Sequence, residues 1–220
     1  KMYRFTHDRI QQAVYSLIAD KDRNHAHLTI GRLLLANIPE DKREAHLFDI
    51  VNQWNWGKDI ITDAGEKELL AGLNLEAGRK AKQSSAFKAA LEYFETGIAL
   101  LKDDPWNVQY ELCRNLHTEA TEAAYLNGDF ATMDKYYPIV LKNTRNLLEK
   151  VKPYEIRILA YKAENKLLDA IKTGLELLKQ LGEDFPSKPT MVHVMADLIK
   201  TKIKLSGKNN DKLKDLPAMT

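Results

Sequence analysis

Residues 73–101 read LNLEAGRKAKQSSAFKAALEYFETGIALL, and how this stretch is read decides the fold. Leu70, Leu73, Ala77 and Ala81 fall on one stripe of a helix, and Phe87, Ala90, Leu91, Phe94, Ile98 and Leu101 fall on another. Both follow the helical period of 3.6, and neither alternates as a strand does. Two apolar stripes on either side of a short polar break make a helical hairpin. Neither stripe can be buried by its own helix alone, so each needs a neighbour.

The same pattern recurs along the chain. Residues 84–101, 127–143 and 165–182 align with Ala90, Met133 and Ala170 at equivalent positions, separated by 43 and 37 residues. Each copy places a large residue first (Phe87, Phe130, Leu167), then a small or medium one three residues on. Gly78 and Ala90 stand twelve residues apart, small residues where two helices of a hairpin approach closely, while Phe94 and Tyr137 are expected to fill the space toward the next hairpin. The spacing is somewhat longer than the roughly 34 residues of a regular tetratricopeptide repeat. The expected fold class is all-α: a tetratricopeptide-like antiparallel helix-hairpin repeat array, an α-α superhelix of about ten helices with no sheet.

Punctuation supports short connections. Of 10 Gly and 7 Pro, Pro39, Gly57, Gly65, Pro105, Gly128, Pro153, Gly182, Pro186 and Pro189 lie between the stripes. Pro138 lies inside one and predicts a kink or break. Grouped by this punctuation, helix pairs fall near residues 7–37, 41–82, 86–126, 129–164 and 166–205.

Bulk composition narrows the function. With 220 residues the chain can bury a substantial core, and 33 basic against 31 acidic side chains carry no global nucleic-acid signature. Seven Lys between Lys188 and Lys214 make the C-terminal end locally basic, but without interleaved aromatics this is no nucleic-acid groove. No apolar run reaches the roughly 18 residues of a membrane span. A lone cysteine, Cys113, excludes an intrachain disulfide and fits a reducing, cytoplasmic setting.

Four segments carry a resemblance: FTHDRIQQAVYSLI at 5–18, HLTIGRLLL at 27–35, LFDIVNQWNWGKDII at 47–61, and residues 73–101. Together they resemble large bacterial signalling proteins that join a protein kinase-like domain, a signal-transduction ATPase, a helical repeat region, a GAF sensor and a histidine kinase. In that family a Phe-x-His-Asp segment closes a winged-helix part behind the ATPase core, and the repeats follow. Phe5, His7 and Asp8 match that order. The resemblance implies a piece of a longer chain, with residues 1–40 as the end of a winged helix plus linking helices and 41–220 as the repeat domain. It also implies that His7 can contact the nucleotide phosphates in the parent. Read locally, Thr6 caps a helix whose positive N-terminus Asp8 favours, and His7 merely sits at the boundary.

Chemistry is scarce. No glycine-rich phosphate loop has the required spacing, so no nucleotide cofactor is expected. The six histidines offer no zinc spacing, so no metal is expected. Cys113 and His117 stand four apart, the spacing of a nucleophile pair, but on a packed stripe Cys113 reads as small filler. No catalytic residue is assigned.

What remains is an interaction surface. If the repeat register holds, Arg79, Lys82, Gln83, Asn115, Glu122, Tyr125, Glu155 and Lys162 line the concave face formed by the first helix of each hairpin. Trp54 and Trp56 are i and i+2, so both cannot face one stripe and at least one is expected to be exposed or to cover a neighbour. The expected function is a non-enzymatic relay module. It would contact other proteins or neighbouring domains of the same parent chain, between an upstream ATPase and downstream sensor and kinase domains. The alternative is a superhelix that encloses a small-molecule effector.

Overall fold

The computed structural model describes residues 15–186 and 189–205. The residues from Phe5 to Asp8, including His7, lie outside the described residues. Among those described, the chain forms eleven α-helices, one 3₁₀ turn and no strand.

Helix α1 (Asp20–Asn37) packs on α3 (Leu47–Trp56), with the short α2 (Glu40–Arg43) between them in sequence. The crossing is close because Gly31 has no side chain: a Cβ there would meet the Trp54 backbone at 3.1 Å. Leu28 of α1 lies in the same buried cluster as Ile50 and Trp54 of α3.

Helix α4 (Ala64–Gln83) begins at Asp63, whose carboxylate accepts the backbone N–H of Glu66 at 2.7 Å and caps the first turn. Gly65 falls within that first turn rather than before the helix. Asn74, fully buried, exchanges reciprocal amide hydrogen bonds of 2.8 and 2.9 Å with Asn55, which holds α4 against α3 in one register.

Three hairpins follow, and their tight turns are alike. Helix α4 turns into α5 (Phe87–Ala99), α7 (Tyr110–Leu126) into α8 (Phe130–Asn143), and α9 (Leu148–Ala163) into α10 (Leu167–Gln180). Each turn holds one residue at positive φ: Ser85 at 59°, Gly128 at 75° and Asn165 at 58°. Around each, the next residue's N–H reaches back to Ala81, Ala124 or Tyr161, and the positive-φ residue's own N–H reaches Lys82, Tyr125 or Lys162. This is the paired C-terminal closure of a helix. The turns recur at intervals of 43 and 37 residues, the intervals of the apolar pattern.

The tight pairs are therefore α4 with α5, α7 with α8 and α9 with α10, which straddle the divisions that punctuation suggests. The tight turns carry only one glycine among them, so glycine and proline mark the looser connections and miss two of the three hairpin turns. Between hairpins, α5 packs on α7 and α8 on α9, while the first helices α4, α7 and α9 contact one another in succession. The short α6 (Pro105–Val108) lies against α7, and α11 (Met191–Leu205) follows α10. One cluster of buried apolar side chains runs from Leu28 in α1 to Ala160 in α9.

Three local expectations are corrected. Helix α8 runs unbroken through Pro138, because the proline costs only the bond to the Asp134 carbonyl and packing holds the rest. Pro153 is buried inside α9 rather than between helices. Phe94 fills its own hairpin: a Cβ on Gly78 would lie 2.3 Å from its ring, so the glycine exists to seat that ring.

Candidate interaction surface

Helices α1 to α4 enclose an open groove of about 880 Å³. Its apolar wall comes from Leu35, Leu47, Ile50, Leu69 and Leu73, and its charged rim from Arg32, Glu40, Arg43, Glu44, Glu76, Arg79 and Lys80, with Gln83 at one end. Trp54 lines it from α3 and is 2% exposed. The indole Nε1–H donates to Glu66 Oε1 at 3.0 Å, and Arg32 grips both oxygens of the same carboxylate at 2.7 Å. The hydrogen bond from Arg32 is the main reason the Glu66 carboxyl lies below its ordinary range, with burial opposing it and Trp54 adding to it. Glu66 thus ties α1, α3 and α4 together at the groove wall.

Arg79 belongs to the groove and also starts a ladder of charges across the first helices of the hairpins. Its Nε lies 2.7 Å from Glu119 Oε1, and Lys82 Nζ lies 2.5 Å from Glu119 Oε2. Lys82 also pairs with Glu122, which receives Lys152 at 2.6 Å, and Lys152 reaches Glu155 at 3.5 Å. The ladder runs from α4 through α7 to α9. Helix periodicity explains it: Glu119 and Glu122, like Lys152 and Glu155, are three apart and share a face.

The geometry brings four of the expected surface residues, Arg79, Lys82, Glu122 and Glu155, into one connected row, with Gln83 beside it in the groove. Lys162 is exposed farther along α9, Asn115 is half-buried, and Tyr125 is half-buried against the core. Glu119 and Lys152 were not anticipated. Their signal was the i,i+3 spacing to Glu122 and Glu155, which becomes meaningful only once α7 is known to lie between α4 and α9. The two tryptophans separate: Trp54 is in the groove wall, whereas Trp56 is 65% exposed and stacks on His27 at 5.5 Å between ring centres.

Glu122 is the most informative titrating group of the ladder. Burial pushes its carboxyl up, but the hydrogen bonds and charges of Lys152 and Lys82 outweigh that, and the net shift is downward. A carboxyl held below its unfolded value stabilises the fold above the ordinary carboxylate range near pH 4.3 and stops doing so as pH falls through the folded value. Urea unfolding between pH 7 and pH 3 is expected to show a loss of stability on acidification that is shallower in Glu122→Gln. Equal acid slopes in parent and variant would show that the ladder does not couple to folding.

Cys113 and His117 do meet, with Sγ 3.5 Å from Nδ1, but that nitrogen is also 2.8 Å from the Cys113 carbonyl, to which it donates. Burial pushes the thiol up to about 12 and the imidazole down. The thiol is thus held protonated beside a neutral imidazole within the core of α7. Among the described residues no cluster of three or more His, Cys, Asp or Glu could hold a metal, and no helix is long and apolar enough to cross a membrane.

Set against known proteins, the chain is similar to part of a hybrid signal transduction histidine kinase. The relative is hybrid signal transduction histidine kinase G of Dictyostelium discoideum, 29% identical over 229 residues. The match takes in 93% of this chain and 7% of that protein, so the chain spans a small part of its relative's length. It comes from Dictyostelium and not from a bacterium, so the bacterial setting expected from the sequence gains no support from it. No protein-family model matches, and no solved structure matches.

Proposed function

We propose that this chain is a non-catalytic docking and relay module of a multi-domain signalling protein, built as a tetratricopeptide-like helical superhelix. The observation that carries the reading is the groove of α1 to α4, with its apolar wall and mixed-charge rim, continuous at Arg79 with the charge ladder of α7 and α9. An apolar trough edged by both signs of charge suits an amphipathic protein segment better than a nucleic-acid backbone, which would demand a cationic lining. Similarity to a histidine kinase supports a signalling context. The partners are then neighbouring domains of the parent chain, an ATPase on one side and sensor and kinase domains on the other, in the cytoplasm.

Leu69 is 47% exposed in the groove, so Leu69→Asp changes the surface with little cost to the fold. Calorimetric titration with flanking domains of the parent protein is expected to show binding that Leu69→Asp weakens at least tenfold and that Trp56→Ala, away from the groove, leaves unchanged. Equal binding by parent and Leu69→Asp would remove the groove from the reading. The groove's volume also lies within the roughly 300–1,000 Å³ of small-molecule sites. A metabolite that raises the melting temperature of the parent, and not of Leu69→Asp, would favour the effector-sensing alternative.

A further inference from the structure

Helix α10 carries an apolar stripe that the described residues leave bare. Helix α10 faces α9 with Ala170, Gly174 and Leu177; Ala170 and Leu177 are buried, and Gly174 lies close to Ile158. A second stripe, Leu168, Ile171, Leu175 and Leu178, runs beside that face, and Leu168 is 82% and Ile171 58% exposed. Two of the four matching positions in α5 are covered, whereas the counterparts of Leu168 and Leu175 are the exposed Lys88 and the half-buried Glu95. Aligned on the turns at Ser85 and Asn165, Ile171 corresponds to Leu91 and Leu178 to Ile98, which belong to the core where α7 packs on α5.

Helix α11 has the reciprocal problem. Met191, Val192, Met195, Leu198 and Ile199 spread over one broad side and are each half or more exposed, while His193, Asp197 and Lys200 take the other side. A helix of 15 residues is marginal in water without packing, since isolated helices below about 12–15 residues barely hold. The connection supplies the geometry. Residues 100–109 join α5 to the helix α7 that covers it, and residues 181–190 join α10 to α11; both connections are ten residues long.

We propose that α11 docks on α10 across Ile171 and Leu178, as α7 docks on α5 across Leu91 and Ile98. Seated there, α11 buries both bare faces and closes the array with its own polar side outward, keeping an apolar stripe from recruiting stray partners.

Hydrogen–deuterium exchange on the full 220-residue chain tests this. The α11 amides are expected to exchange at least tenfold more slowly than in the unfolded chain. Ile171→Asp should return them to the unfolded rate, with α4 to α8 still protected. Leu178→Asp, at the other position matched to a covered residue of α5, should do the same and guards against a folding defect particular to Ile171. Sedimentation velocity identifies the occupant: a monomer in which α11 is protected supports docking within the chain. A dimer that Ile171→Asp dissociates would overturn it and assign the stripe to a second copy. Free exchange of α11 in the parent, or protection untouched by both variants, would also overturn it.

Discussion

Phe94→Ala is expected to lower the free energy of unfolding by about 3–5 kcal/mol, the range for deleting a fully buried aromatic from a core that cannot collapse around the gap. Phe94 is wholly buried in α5, and its ring lies over Gly78 of α4, where any Cβ would sit within 2.3 to 2.7 Å of three ring carbons. The position is therefore a lock between one large and one absent side chain. Gly78→Ala in the parent should also destabilise, by about 1–3 kcal/mol, because a rigid ring cannot yield as a flexible side chain would. Combined with Phe94→Ala, the same Gly78→Ala should cost far less, since the added methyl enters vacated space. Urea melts of the four proteins form the cycle. Strict additivity would mean that Phe94 is held by something other than Gly78.

Leu116→Ala is the second large effect, at about 2–5 kcal/mol, and it acts at a different level. Leu116 is fully buried in α7 and projects against Gly97 of α5, where a Cβ would lie 2.6 Å from Leu116 Cδ2. It therefore joins the hairpin α4–α5 to the hairpin α7–α8 rather than closing either. When hairpins contact mainly their neighbours, weakening one interface lets the two sides melt separately. Leu116→Ala is expected to broaden the urea transition as well as shift it, whereas Phe94→Ala shifts it with a smaller change in slope. A sharp two-state transition in Leu116→Ala, shifted by under about 1 kcal/mol, would show that this contact does not couple the hairpins.

The sites divide along the same line as these two variants. Ala90 and Ala170 could be read as packing positions because period and size are local properties, and both are buried. Arg79, Lys82, Glu122 and Glu155, assigned to one face from the repeat register, stand in one row of charges. Phase could not say that Lys82 would be shared between Glu119 and Glu122, since that depends on how far α4 stands from α7. The groove was out of reach for a similar reason. Its walls come from four helices spread over residues 32–83, and nothing in the spacing of Leu35, Leu47 and Leu69 states that they face a common space.

Sequence by itself determined the all-helical class, the hairpin interval and the buried stripes, because hydrophobic period and chain connectivity are set residue by residue and do not depend on distant partners. Tertiary structure alone decided three things. Proline could sit inside α8 and α9, because packing outweighs one lost backbone bond. Phe94 packs over Gly78, because the missing Cβ there leaves the space its ring fills at the close helix crossing. The charges of α4, α7 and α9 joined into a ladder, because ion pairs form at distances that only the docking of whole helices can set.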